Sequence, residues 1–313
     1  MSRRTIAARL VEIGRFENCK LEEYDPGQFF VHKIFGYRGV ILFPWAAKLV
    51  DFDVVPGRKR ERKSESTMPS SSTNDDVVKP NYQVLVDQRD YPHIRILKDD
   101  VTIFHKDRNS GKMYLSTLIG FAHVSHDDVL PYLSTESCCL RHDSFNVCFS
   151  PYFGKVWRAA ELPALRSWRS HCMPYLEFST VYRQTTHNIR VTAVPYYLGS
   201  YTNSDKDEKT FMWRYSIRLE NFGQDNVTLK NRRWEIVDEY GRSDPHEGVG
   251  VVGVQPRLSI SKRAFQYSSY VELPSARGYM LGTYTMQRDD GTSFGCDIPK
   301  FFLESKDNDD VLS

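Results

Sequence analysis

The sequence lacks the features by which membrane proteins, metalloproteins and most enzymes are recognised. It contains no apolar run of about 20 residues, the length that a membrane-spanning helix requires, so we predict no membrane insertion. It contains no Walker sequence, no H-E-x-x-H motif and no paired-carboxylate motif. None of its six cysteines forms C-x-x-C, and the Cys and His spacing is too irregular to indicate a metal site. These absences favour a protein without catalysis, cofactor or metal.

An excess of one charge is also missing. The chain has 42 Lys and Arg against 40 Asp and Glu, a formal net charge of +2 at pH 7. That excess is too small to indicate a nucleic-acid partner by itself. The 40% hydrophobic content indicates a globular protein with a core, and 13% aromatic residues favour strands. A length of 313 residues allows two domains, and we expect a monomer.

Residues 25–135 read as short strands separated by turns, with one interruption. Segment 56–80 has almost no large apolar residue and cannot bury enough surface to become ordered, so we predict a flexible insertion. Residues 1–24 form an N-terminal segment, whose Arg-rich start is compatible with an amphipathic presequence or with a local helix. Residues 25–135 are therefore predicted to form one small β domain.

The remaining chain divides into a connector, a second domain and a tail. In segment 136–177, Leu162, Leu165, Trp168 and Cys172 recur at helical spacing, which predicts a helical connector. Pro163 lies near the expected start of that helix. Segment 178–305 shows a period of two over about seven strands, which predicts an antiparallel β-sandwich. The polar segment 306–313 is expected to be disordered. The chain is therefore predicted to be mainly β.

Gly248, Gly250 and Gly253 spell the G-x-G-x-x-G fingerprint of a dinucleotide-binding turn. That turn must open a helix, whose N-terminus holds the pyrophosphate. Here β-branched valines and Pro256 follow, and no helical period comes after them. We therefore reject a dinucleotide site. Two readings remain: a structural turn, or an anion-binding loop.

Several segments resemble known families. The stretches GVGVVGVQP, FQYSS, GTYTM and DIPKFFLES are similar to the ApaG family. IFGYRGVILFPW, NYQVLVDQRD and HVSHDDVLPY resemble the YccV/HspQ family. In this order they resemble the polymerase delta-interacting protein 2 family. The resemblance implies a small SH3-like β-barrel followed by a fibronectin-III-like sandwich.

The same resemblance implies a function and a set of partners. It suggests a non-catalytic adaptor for the mitochondrial ClpX unfoldase and for DNA polymerase delta with its sliding clamp. The implied location is the mitochondrial matrix, the nucleus or both, although the start of this chain is not a long, clear presequence. Aromatic and Arg side chains make the strongest interface anchors. The partner-binding candidates in the YccV-like part are Phe35, Tyr37, Arg38, Phe43 and Trp45. The alternative for Phe43 and Trp45 is that they fill the core of the small barrel.

Two further hypotheses stay open. The YccV-like part could bind DNA, with phosphate contacts from Lys33, Arg38 and the basic run of the insertion. The glycine loop could bind an anion or small ligand, with Arg242 assisting Gly248, Gly250 and Gly253. The candidates for phosphate contacts within the insertion are Arg58, Lys59, Arg60, Arg62 and Lys63, and Lys33 is a candidate outside it.

Overall fold

The computed structural model describes residues 12–17, 21–53, 77–93, 100–106, 113–136, 139–152, 158–203 and 208–306. Strands dominate it, as the composition predicted. Among these residues, no helix has the length and hydropathy needed to cross a membrane. The basic run of the predicted insertion, Arg58 to Lys63, lies outside the described residues. The last four positions of that segment, 77–80, belong to a strand.

The first part of the chain, here called the N-terminal module, consists of eight strands. Six of them pair antiparallel in the order β1-β8-β2-β3-β4-β7, and β5 pairs with β6 as a hairpin. Within the described residues this ladder runs from β1 to β7 without closing into a ring. The strands are β1 Gly14–Phe16, β2 Phe29–His32, β3 Arg38–Asp51, β4 Val77–Val86, β5 Val101–Lys106, β6 Met113–Leu118, β7 Phe121–Ser125 and β8 Val129–Ser134.

The connector contains a hairpin as well as helices. Its elements are α1 Phe145–Cys148, β9 Phe149–Tyr152, β10 Arg158–Glu161 and α2 Pro163–Leu176. Helix α2 begins at Pro163, a residue suited to a first turn because its missing N–H would have no helical partner there. Leu165, Cys172 and Leu176 are buried along one side of α2, where they pack on β3 of the N-terminal module. The hairpin interrupts a segment that the sequence predicts as helical throughout.

The second part, here called the C-terminal module, is the predicted sandwich. One sheet contains β11, β12, β13 and β17, and the other contains β15, β14, β18 and β19, with β16 against β14. Apolar side chains from both sheets form one core, including Trp213, Trp234 and Tyr284. The strands are β11 Ser179–Thr186, β12 Ile189–Asn203, β13 Glu208–Asn221, β14 Val227–Asp238, β15 Ser243–Val249, β16 Arg257–Leu258, β17 Ala264–Leu273, β18 Arg277–Arg288 and β19 Ser293–Glu304.

The two modules share a sheet. Strand β11 pairs in parallel with β3, from Ala47 opposite Ser179 to Asp51 opposite Arg183. This pair joins the N-terminal ladder to the first sandwich sheet, so that ten strands form one continuous sheet. Backbone hydrogen bonds therefore cross the boundary that the sequence places in the connector. The connector joins two units that are also fused edge to edge.

Candidate functional site: a basic groove between the modules

The structure separates the five predicted partner-binding residues. Tyr37, Phe43 and Trp45 are buried, with 5%, 0% and 2% of their surface exposed, so they fill the cores of the N-terminal half. A buried side chain cannot contact a partner without unfolding, which contradicts their assignment as interface anchors. Phe35 is half-buried and lines a groove between the modules.

Arg38 is engaged inside the protein. Its Nε and Nη2 donate to the two carboxylate oxygens of Asp90 at 2.9 and 2.7 Å, and its Nη1 lies 3.4 Å from Glu136. A bidentate guanidinium–carboxylate pair is among the stronger polar contacts in proteins. The pKa of Arg38 is raised, chiefly by its hydrogen bond to Asp90. Arg38 thus has a structural role, because Asp90 and Glu136 hold its guanidinium inside the protein.

The glycine motif forms a tight turn at the end of β15. The Val251 and Val254 backbones hydrogen-bond to each other at 2.8 and 3.0 Å. Gly250 and Gly253 have φ of +59° and +81°, a region that favours glycine. The Arg232 guanidinium donates to the Gly250 carbonyl at 2.7 Å, and the Gly250 N–H donates to the backbone carbonyl of Lys230. These contacts account for the glycines by turn geometry.

Arg242 lies at the other end of the same strand. It precedes β15, whereas the glycine turn follows it, and the seven residues of β15 separate them by about 20 Å at 3.3 Å per residue. Arg242 Nε donates to Asp238 at 2.6 Å, and its guanidinium lies over the Tyr240 ring. The structure therefore does not bring Arg242 to Gly248, Gly250 and Gly253.

A groove of about 930 Å³ lies between the two modules. Its floor is the face of β12 and β13 that points away from the sandwich core. Directly opposed residues form a polar row across the strands, because Arg183 faces Thr192, Thr192 faces Arg218 and Arg218 faces Gln266. The turn after β2, with Lys33 and Phe35, forms one wall.

Positive charge is concentrated in this groove. Eight Lys and Arg side chains line it against three carboxylates, an excess of five positive charges. Because the whole chain has a formal charge of only +2, the rest of it carries more acidic than basic residues. The cations are Lys33, Lys48, Lys79, Arg183, Arg190, Arg218, Lys262 and Arg263, and the carboxylates are Asp127, Asp128 and Glu220.

Two arginines of β13 anchor the modules to each other beneath the groove. Arg218 Nη1 donates to Asp128 of the N-terminal module at 2.6 Å, and its Nε donates to Gln266 at 2.8 Å. Arg214 is 1% exposed and donates to the Asp100 carbonyl at 2.9 Å. Arg218, in the floor of the groove, therefore has a structural role.

The buried titratable groups at this interface are held in fixed charge states. Burial lowers the pKa of His32 to about 3. Burial, together with the nearby Arg214 guanidinium, lowers the pKa of His123 well below its ordinary value. Burial alone would raise the pKa of Asp128, but the Arg218 guanidinium outweighs it and the pKa is lowered. At neutral pH both histidines are neutral and Asp128 is charged.

Other cations of the groove have donors to spare. Arg183 Nε is buried and has no hydrogen-bond partner in the part of the chain that the structure describes. Arg190 stacks on Phe222, with its guanidinium carbon 4.7 Å from the ring centre. Lys33 is exposed at the rim. Lys33 and Arg38 are the described members of the predicted phosphate-contacting set, and of these two Lys33 lines the groove. Arg58, Lys59, Arg60, Arg62 and Lys63 lie outside the described residues.

Known proteins match both modules. Residues 201–288 match the ApaG domain family. Human polymerase delta-interacting protein 2 is 40% identical over 299 residues, which cover 95% of this chain and 80% of the human protein. The mouse protein of that name is 39% identical and covers 97% of this chain. The chain belongs to the polymerase delta-interacting protein 2 family.

A bacterial relative provides a contrast with that family. Protein ApaG of Bradyrhizobium diazoefficiens is 40% identical over 133 residues, which are 42% of this chain and 100% of the bacterial protein. The walls of the groove run from Lys33 to Gln266, a longer stretch than this relative matches. The complete groove therefore requires residues of both modules of this chain.

Sequence reasoning missed the groove because its residues are scattered along the chain. Arg214, Ser216 and Arg218 were visible as the polar face of a half-buried strand, which usually faces water. Two arginines on the polar face of one strand were the available signal. The N-terminal module covers that face. No local sequence pattern predicts the pairing of β3 with β11, because the two strands are distant in sequence.

Proposed function

We propose that this chain is a non-catalytic adaptor that binds protein partners. The relatives that match along nearly the whole chain are named as interacting proteins, and this observation carries the proposal. The partners we propose are a ClpX-type unfoldase and DNA polymerase delta with its sliding clamp. The corresponding locations are the mitochondrial matrix and the nucleus.

A rigid arrangement of the modules supports this role. The parallel pairing of β3 with β11 and the Arg218–Asp128 contact hold the two modules in one orientation. Preorganised surfaces bind with a smaller loss of conformational entropy than flexible ones. An adaptor built in this way can present surfaces of both modules to a partner without first ordering them.

The glycine turn offers a surface for docking. Val249, Val252 and Val254 are 66%, 45% and 39% exposed, and they form an apolar cluster at its tip. Val252 has φ of +42°, which is costly for a β-branched residue. Backbone strain retained at an exposed apolar side chain is a reason to suspect function. We assign partner docking to this cluster.

The test is a calorimetric titration of the full chain against the ClpX unfoldase, against polymerase delta and against the sliding clamp. We expect at least one partner to bind at micromolar affinity or tighter, on the order of −8 kcal/mol. Val252→Asn should weaken that binding at least about tenfold. Asn tolerates positive φ, so the variant should be no less stable than the parent.

The control is Val147→Asn, which replaces another exposed valine on α1, remote from the turn in sequence. It should leave binding unchanged. Absence of heat with all three partners, at several temperatures and with folded proteins, would reject the proposed partners. Full binding by Val252→Asn would reject the valine cluster as the docking surface while retaining the adaptor.

A further inference from the structure

The groove between the modules has the composition of an anion-binding site. We propose that it binds a small organic polyphosphate, an anion with several phosphate oxygens and an apolar or aromatic part. This site is separate from the glycine motif, which lies in the turn after β15. It also stands independently of the adaptor proposal, because it requires no protein partner.

The first argument is the balance of charge. Two of the three carboxylates in the groove are already neutralised inside the protein, since Asp128 pairs with Arg218 and Asp127 accepts from Lys79 at 2.8 Å. The third, Glu220, lies opposite Arg190 in the strand ladder. Lys33, Lys262 and Arg263 remain beyond these pairs, and the described part of the lining contains no further carboxylate for them. A cleft lined by one sign of charge concentrates the field and attracts the opposite charge.

The second argument is an unmatched donor. Buried polar groups in proteins nearly always have a hydrogen-bond partner, so each exception calls for an explanation. Arg183 Nε is such an exception, and Arg183 lines the groove. A guanidinium presents donors in a planar fork that fits phosphate oxygens. A phosphate in the groove would supply the acceptor that Arg183 Nε lacks.

The third argument is size and polarity. A volume of about 930 Å³ lies near the upper end of small-ligand sites, roughly 300–1,000 Å³. The lining also contains apolar side chains, among them Leu49, Val181 and Val194, and the aromatic residue Tyr196. The floor backbone is committed to strand pairing and cannot bind an added peptide strand. The shape and lining therefore favour a compact ligand with both phosphates and an apolar part.

The experiment is isothermal titration of the full chain with inorganic triphosphate and with ATP, both without magnesium, at low and moderate salt. We expect both anions to bind, with affinity falling as salt rises because charge drives the binding. ATP should bind more tightly than triphosphate, because its base and sugar can contact the apolar side chains of the lining. Equal affinities for ATP and triphosphate would show that the groove binds phosphate chains alone, without the apolar part of the ligand.

Three variants locate the site. Arg183→Gln should weaken binding at least about tenfold, as expected for loss of a charge-assisted hydrogen bond. Lys33→Gln, at the exposed rim, should weaken it by roughly threefold at low salt. Arg233→Gln removes a cation that is 75% exposed on β14 and does not line the groove, so it should change nothing. Thermal unfolding of each variant checks the fold. If Arg183→Gln is unstable, the affinity of Lys33→Gln tests whether the anion binds in the groove.

Several outcomes would overturn the proposal. Failure of both anions to bind the folded chain is one, and equal losses in Arg233→Gln and Arg183→Gln, which indicate nonspecific attraction, are another. Titration with single-stranded oligonucleotides of increasing length gives a third. If their affinity exceeds that of ATP and grows with length, the groove is a nucleic-acid channel. Competition by an acidic peptide with affinity equal to that of ATP would assign the groove to protein segments instead.

Discussion

The two faces of β12, β13 and β17 serve different purposes in the same strands. One face carries Val191, Ile217 and Phe265 into the sandwich core, where the side chains are almost completely buried. The other face carries charged and polar side chains toward the N-terminal module and lines the groove. Alternation of side chains along a strand makes both possible at once.

The difference concerns how each face contributes to the structure. Apolar burial stabilises without demanding one geometry, whereas a buried ion pair costs desolvation and is favourable only when both partners are placed correctly. The Arg218–Asp128 contact therefore acts chiefly to specify how the modules meet. The remaining cations of that face are left available to a ligand.

The largest effect should follow from breaking the buried ion pair. Asp128→Ala leaves the Arg218 guanidinium buried without its carboxylate, and we expect the free energy of unfolding to fall by about 3–5 kcal/mol. Urea denaturation measures this loss. The double variant Asp128→Ala with Arg218→Met should recover much of it. Glu247→Ala, which breaks the exposed contact with Arg233, should cost less than about 1 kcal/mol.

Adjacent residues of β13 allow a direct comparison of its faces. Leu219 is 0% exposed in the sandwich core, and Leu219→Ala should cost about 2–5 kcal/mol through lost burial and a cavity. Its neighbour Glu220 faces the groove, and Glu220→Ala should change stability by less than about 1 kcal/mol. Similar losses in the two variants, measured by urea denaturation, would contradict the division of labour between the faces.

Acid should weaken the interface between the modules before it weakens the sandwich core. His32 and His123 have lowered pKa values in the folded state, so the unfolded chain binds protons that the folded chain does not. Stability should therefore fall as pH drops below about 6.5, by up to about 1.4 kcal/mol per pH unit for each histidine. Denaturation curves at several pH values test this. His123→Gln should reduce the slope, and an unchanged slope would exclude His123 as a source.

The glycine turn offers the smallest and most local comparison. A Cβ at Gly250 would collide with the Val254 carbonyl oxygen, whereas a Cβ at Gly253 would meet open space. Both glycines have positive φ, so alanine at either position should lower the free energy of unfolding by about 1 kcal/mol. Gly250→Ala should lower it further because of the collision. Thermal unfolding of the pair checks the order. Equal losses would mean that the turn relaxes around the added methyl group.

Local patterns were sufficient for the sandwich and for the start of α2. The alternation of Tyr215, Ile217 and Leu219 with polar neighbours correctly predicted a strand, although its polar face is buried as well at Arg214 and Ser216. Pro163 marked the start of a helix, and the valines after the glycine motif correctly excluded a helix there. These features depend on residues within a few positions of each other, which is why sequence reasoning could reach them.

The features that failed depend on distant contacts. Composition identified Phe43 and Trp45 as interface anchors, but large aromatics are equally good core residues, and burial decides between the two roles. The groove draws on residues of seven different strands, and its existence rests on the pairing of β3 with β11. The periodicity of a strand does not predict which distant strand it pairs with.

The β3–β11 pair also fixes an order of events while the chain is being made. At about 5–20 residues per second, β3 emerges from the ribosome on the order of ten seconds before β11 does. During that interval the edge of β3 is an unpaired strand that carries the exposed Val50, and such edges template aggregation. The N-terminal module thus cannot complete its own sheet, and a nascent chain stopped within the connector would carry that open edge permanently.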